Sequence, residues 1–235
     1  MPTMTTPTVL VSGATGGIGA ALVDELLRRE RHVVALGRDL DRLTDLARSR
    51  PGVRTVRADL EHPQSLSEAL GPLLGEVEEL SAFVHCAGLS LVASVTDSPV
   101  ALWNRVLAVN LVAAAELTRL LLPALRTAKG HVVLVNAAPG LHGVPRWSAF
   151  TASKPGLSEL ADALRAEEAE HGVRVTGVHP GGTATETLRR VRADFDRPYD
   201  PQACIRPATL ARAIVDVLES PRDATITELH LRPGP

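Results

Sequence analysis

Short apolar, β-branched runs alternate with helical patterns along the whole chain. The runs predict strands at Thr8–Ser12, His32–Leu36, Val53–Arg57, Leu80–His85, His131–Asn136, Val173–Val178 and Thr225–Leu231. Between them, apolar residues at three- and four-residue spacing predict helices over Ile18–Arg29, Leu40–Arg48, Pro63–Leu70, Pro99–Ala128, Ser148–His171, Leu188–Val191 and Pro207–Leu218. Pro123 is expected to bend the last turns of the long helix, because it removes a backbone donor. Gly172 is expected at the position just past a helix end, where a left-handed residue is wanted. The sequence shows no repeat, low-complexity tract or linker. Strict alternation of strand and helix implies an α/β fold: a Rossmann-type, doubly wound parallel sheet of about seven strands with helices on both faces. The expectation is one domain over residues 1–235.

Composition narrows the partners. The net charge is −2, so no global basic field favours nucleic acid or an anionic membrane. Aromatic residues make up only 3% of the chain, which argues against a surface for stacking bases. The most apolar stretch, Leu107–Leu125, is interrupted by Asn110, Glu116, Arg119 and Pro123 and reads as a buried helix rather than a membrane span. Met1–Thr8 lacks the order of charge and apolarity of a signal peptide. Cys86 and Cys204 have no ligand-like spacing, so the expectation is two reduced thiols in a cytoplasmic protein and no metal site.

The first strand runs directly into Ser12-Gly13-Ala14-Thr15-Gly16-Gly17-Ile18-Gly19 and then into a helix. A sharp turn and a pyrophosphate seated on bare backbone at a helix N-terminus both require glycine at such a junction. Gly13, Thr15, Gly17, Ile18 and Gly19 are therefore the candidate phosphate cradle. The second strand ends in Gly37-Arg38, where a site for NAD(H) usually has an acid. Gly37 leaves room and Arg38 offers a planar cation to a 2′-phosphate, which favours NADP(H) over NAD(H), while Asp39 keeps NAD(H) in play. Asp59 closes the third strand, where a carboxylate can accept from an adenine amino group or cap the next helix.

With these residues in place, the chain resembles the short-chain dehydrogenase/reductase family along nearly its whole length. The glycine turn matches, with Ser12 for the usual Thr. Asp59-Leu60 matches the adenine-contacting pair, and Cys86-Ala87-Gly88 matches the Asn-Ala-Gly turn, with His85 and Cys86 where two Asn are common. Asn110 matches a helix Asn that the resemblance links to a water relay. Pro180-Gly181, with Thr183 and Thr185, matches the segment that closes over the nicotinamide carboxamide and phosphates. The resemblance implies a small-molecule substrate, a substrate loop over about 183–203, and a homodimer or homotetramer built through the long helix and the Leu157/Leu160/Leu164 stripe.

The catalytic segment departs from the family. The resemblance implies a Ser after the fifth strand, a Tyr about thirteen residues on, and a Lys four later; here those positions hold Ala137, Phe150 and Lys154. Carbonyl reduction needs a proton for the oxygen, which the Tyr hydroxyl supplies, and a donor to steer the carbonyl, which the Ser supplies. Lys154 lies on the same helical face as Phe150 and, by resemblance, also holds the nicotinamide ribose. Pro155 follows it and either kinks the helix or marks its first turn. His142 is the candidate replacement acid, because a histidine side chain can exchange a proton at physiological pH, with a solvent-facing histidine as the alternative. Three functions remain open: an NADP(H)-dependent oxidoreductase with a nonstandard site, acting on an imine, iminium or conjugated bond; a redox-inactive NADP(H)-binding homologue; or a ketoreductase deprived of two hydroxyls.

Overall fold

The computed structural model describes residues 7–234, so residues 1–6 of the N-terminal stretch discussed above lie outside the described residues. Seven strands alternate with eight α-helices. The strands are β1 (Thr8–Ser12), β2 (His32–Gly37), β3 (Val53–Arg57), β4 (Ala82–His85), β5 (His131–Val135), β6 (Arg174–Pro180) and β7 (Glu228–Leu231). The helices are α1 (Gly17–Arg28), α2 (Leu40–Ser49), α3 (Leu66–Leu74), α4 (Val100–Leu107), α5 (Ala113–Ala128), α6 (Ser148–Glu167), α7 (Glu186–Asp194) and α8 (Pro207–Leu218).

All seven strands are parallel, in the order β3-β2-β1-β4-β5-β6-β7. The alternation of side chains along β1 shows why both faces must be covered. Leu10 packs into a core with Phe83, Leu134 and residues of α3, α5 and α6. Its neighbours Val9 and Val11 pack on the opposite face with Leu22 and Leu26 of α1 and Leu210 and Ile214 of α8. The strand order reverses direction between β1 and β4, which opens a crevice beyond the carboxyl ends of those strands, the usual place for a ligand in such a sheet.

Several expectations need correction. The run from Val100 to Ala128 is not one α-helix but is interrupted at Ala108–Val112 by a π-helical segment that contains Asn110. The 16-residue α5 continues through Pro123. That run is long and apolar enough by composition to cross a membrane, yet in this fold Ala113, Ala114, Leu117, Leu121 and Leu125 are buried in the core. Helix α6 ends at Glu167, with Glu168 as its cap, so Gly172 (φ 71°) serves the turn that follows rather than the helix end. Pro155 lies inside α6 rather than in its first turn. The helix expected at Leu188–Val191, within the substrate-loop stretch after Thr183, is the longer nine-residue α7. Leu157 and Leu164 are buried and Leu160 packs on the same core, so this stripe faces its own sheet.

Candidate active site

The glycine turn closes against the end of β4. Gly13 has φ 68°, and a Cβ there would stand 2.8 Å from the backbone of Ala87. A Cβ at Gly19 would run into the Gly13 carbonyl, so the first turn of α1 packs directly on the loop. No side chain caps α1, which leaves its first N–H groups open to an anion in the crevice. The cradle thus fits the pyrophosphate of a dinucleotide, with Thr15, Gly17, Ile18, Ala87 and Gly88 on the wall of the same cavity.

At one end of this cavity the wall is formed by residues at the ends of β2 and β3. Gly37 ends β2 and its missing side chain leaves only Leu43 and the Thr15 hydroxyl as neighbours. Arg38 Nη1 donates to Glu61 Oε1 at 3.1 Å. Glu61 also accepts from Arg105 on α4, at 2.7 Å and 3.1 Å. The Arg105 hydrogen bond first, and both guanidinium charges with it, hold the Glu61 carboxyl below the usual range against the opposing effect of burial. Asp39, the acid that kept NAD(H) in play, is spent capping α2, where Oδ1 accepts from Arg42 N at 3.0 Å. Asp59 lines the cavity, but its Oδ1 accepts from Glu61 N, also at 3.0 Å. Leu60 is buried beside it.

At the other end, Asn136 after β5 ties the turn to α6. Its amide donates to the Lys154 carbonyl at 3.0 Å and to Ser158 Oγ at 2.9 Å, while its oxygen accepts from Ala137 N at 2.9 Å. Ala137, Phe150 and Lys154 are thereby placed on one wall, together with Pro180, Gly181, Thr183 and Thr185. Lys154 Nζ lies 3.4 Å from the Val135 carbonyl and 5.5 Å from the centre of the Phe150 ring. No carboxylate among the described residues pairs with it. Burial away from water pushes its ammonium down to about 8.

Asn110 is fully committed within the protein. Its oxygen accepts from Leu89 N at 2.7 Å, and its amide donates to the Leu89 carbonyl at 3.0 Å and to Ser153 Oγ at 2.9 Å. The side chain clamps the loop after β4 to α6. His142 is exposed and absent from the cavity wall. His85 is fully buried, with Nδ1 2.9 Å from Ser12 Oγ and Nε2 without a partner, and burial drives it down to about 3. Cys86 is pushed up to about 12 by burial and stays a thiol.

The cavity has a volume of about 580 Å³. Beyond Phe150 the wall carries side-chain contacts that the sequence did not announce. Trp147 stacks on Phe150, with centroids 4.5 Å apart and planes 14° from parallel, and Phe195 meets Trp147 edge-on at 5.6 Å. The Trp147 indole N–H donates to Ser90 Oγ at 2.7 Å, which leaves the Ser90 hydrogen free. Arg192 and Arg197 reach the same wall from α7 and the segment beyond it. Pairing across such separations has no local signature, although three of the chain's six Phe, Trp and Tyr residues meeting at one place is a signal once the sheet is drawn.

Comparison with known proteins bears on this geometry. The family model for short chain dehydrogenase matches residues 7–196. An uncharacterized oxidoreductase of Staphylococcus saprophyticus is 26% identical over 230 residues, covering 95% of this chain and 96% of that protein. Dehydrogenase/reductase SDR family member 7B of Bos taurus is 32% identical over 198 residues, covering 79% of this chain and 61% of that one. Among solved structures, a metagenomic short-chain oxidoreductase in complex with NADP superposes with a TM-score of 0.82 at 28% identity, covering 97% of both chains. A seven-stranded parallel sheet, a glycine cradle at its first turn and a family match over most of the length lead to one conclusion: the chain belongs to the short-chain dehydrogenase family of nicotinamide-dependent oxidoreductases.

Proposed function

We propose that this chain is an NADP(H)-dependent oxidoreductase with a nonstandard active site, which reduces a conjugated bond in a small molecule without a tyrosine acid. The observation that carries the reading is the wall formed by Ala137, Phe150 and Lys154: a methyl group and a phenyl ring stand where the family resemblance calls for two hydroxyls, beside a retained lysine. Gly13, Gly17 and Gly19 would seat the pyrophosphate, Arg38 the 2′-phosphate, Asp59 and Leu60 the adenine, and Lys154 with Pro180, Gly181, Thr183 and Thr185 the nicotinamide end. Bound NADPH supplies a hydride. A conjugated acceptor takes the balancing proton at carbon from water, so the missing phenol is no obstacle to it, whereas a simple ketone needs an acid at oxygen. Lys154 stabilises the negative charge that builds on the acceptor. An iminium is disfavoured, because the charged side chains on this half of the wall, Lys154, Arg192 and Arg197, are all cationic. The chain is read as one dinucleotide-binding domain that assembles as a homodimer or homotetramer, a reading supported by the family and not by the Leu157/Leu160/Leu164 stripe.

The test follows NADPH consumption with enone, imine and ketone acceptors, on the protein and on its Ala137→Ser, Phe150→Tyr double variant. Enone turnover by the unmodified protein, with ketone turnover at least about 10²-fold below that of the double variant, is expected. Saturable NADPH binding with no turnover of any acceptor would establish the redox-inactive alternative instead. Ketone turnover restored in the double variant, with no enone turnover in the parent, would mark a ketoreductase stripped of its hydroxyls.

A further inference from the structure

The charges on the cavity wall are sorted by end. The two carboxylates, Asp59 and Glu61, both sit at the β3 end, and Glu61 is neutralised there by Arg38 and Arg105. At the opposite end the wall carries Lys154, Arg192 and Arg197, and among the described residues none of the three pairs with a carboxylate. Between Lys154 and the arginines run three aromatic rings in contact. Phe150 stacks on Trp147 at 4.5 Å, Trp147 meets Phe195 at 5.6 Å, and the Arg197 guanidinium sits 5.7 Å from the centre of Phe195.

Such a surface selects on two grounds. Flat rings favour a planar, conjugated or aryl body by offset or edge contact. A guanidinium fork gains most from a group that accepts two hydrogen bonds in its plane, which is a carboxylate. Lys154 lies against the Phe150 end of this run of rings and Arg197 against its Phe195 end, so a flat ligand lying along the rings meets a cation at each end.

We infer that the substrate is an aryl or conjugated carboxylate, its flat body on Phe150, Trp147 and Phe195 and its carboxylate held at the outer rim by Arg192 and Arg197. This rests on the reading of the cavity as the substrate site, but not on hydride transfer, because binding can be measured with the oxidised cofactor.

The experiment is calorimetric titration of the NADP⁺-loaded protein with trans-cinnamate and with cinnamamide, which has the same shape without the charge. The carboxylate is expected to bind at least ~10-fold tighter, a preference that one charge-assisted contact of about 1.5–3 kcal/mol supports. That preference should shrink to less than ~3-fold in the Arg192→Gln, Arg197→Gln double variant and decline as salt rises. NADP⁺ affinity, read in the same variant, should be unchanged. Equal affinity for acid and amide overturns the inference, as does a preference that survives the double substitution. Loss of NADP⁺ binding in the variant also overturns it, by assigning the arginines to the cofactor. If the acid binds as expected while no acceptor is ever reduced, the inference stands and the oxidoreductase reading falls.

Discussion

The Lys154 ammonium stands 5.5 Å from the centre of the Phe150 ring, in a pocket where no carboxylate among the described residues neutralises it. A phenol in place of that ring would feel the positive charge at close range, but burial already brings the lysine down to about 8, below the ordinary tyrosine value. In the Phe150→Tyr variant the lysine should therefore lose its proton first, and the added phenol should titrate no lower than an ordinary tyrosine. Ultraviolet difference titration against the parent chain, whose only tyrosine is Tyr199, isolates the new group. Adding Lys154→Met should leave that value unchanged; a phenol that ionises well below it in the first variant alone would show that the lysine keeps its charge beyond pH 8.

Glu61 competes with any phosphate for Arg38, and Arg105 gives it a second partner to fall back on. Glu61→Gln should therefore tighten NADPH binding by roughly 5- to 10-fold and leave NADH within about 2-fold, since only the 2′-phosphate meets Arg38. Arg38→Ala should weaken NADPH by about 10-fold or more with little effect on NADH. Fluorescence titration with both cofactors reads the ratio, and a ratio that moves in neither variant removes Arg38 from phosphate recognition.

His85 and His131 are buried as neutral rings, each driven by burial from an ordinary 6.5 down to about 3. In the unfolded chain both protonate near 6.5, so the folded state binds fewer protons between these limits. Stability from this source is complete above about pH 6.5 and is lost as pH falls towards 3, by about 2–3 kcal/mol per histidine at pH 4.5. Chemical denaturation at pH 7 and pH 4.5 should show that loss. His85→Asn should lose about 2–3 kcal/mol less than the parent over the same interval, whatever its stability at pH 7.

The Asn110 clamp carries three hydrogen bonds in a buried place. Asn110→Ala would leave both backbone groups of Leu89 without their side-chain partner. The expected cost is about 2–3 kcal/mol, or about 5–10 °C in Tm for a chain of this size. Asn110→Asp keeps the acceptor but loses both donors, and should fall close to the alanine variant in a thermal melt.

What the sequence made legible was local. The glycine turn, the strand-end Asp59 and the Ala137–Phe150–Lys154 spacing each lie within one strand–turn–helix unit, where position along the chain fixes position in space. The features that escaped it join distant segments. Glu61 and Arg38 meet across neighbouring strand ends, 23 residues apart in sequence. Trp147 and Phe195 meet because β6 returns beside β5. Helix α7 was underread for another reason: its apolar signal is only Leu188 and Val191, and its start depends on Thr185, whose hydroxyl accepts from Leu188 N, with a Glu186–Arg189 ion pair behind it. The π-helical break at Asn110 has no composition cue, whereas Pro123 has an obvious one and sits in a continuous helix.

Ala137 and Phe150 stand only half-buried on the cavity wall, and neither belongs to the two clusters that hold the sheet between its helices. An oxygen atom can be gained or shed at either position with the scaffold indifferent to the exchange. Each exchange, alanine with serine or phenylalanine with tyrosine, lies one base away in the genetic code. On the proposed reading of the site, a lineage built on this frame can cross between two chemistries at these two positions while the core that holds the sheet stays as it is.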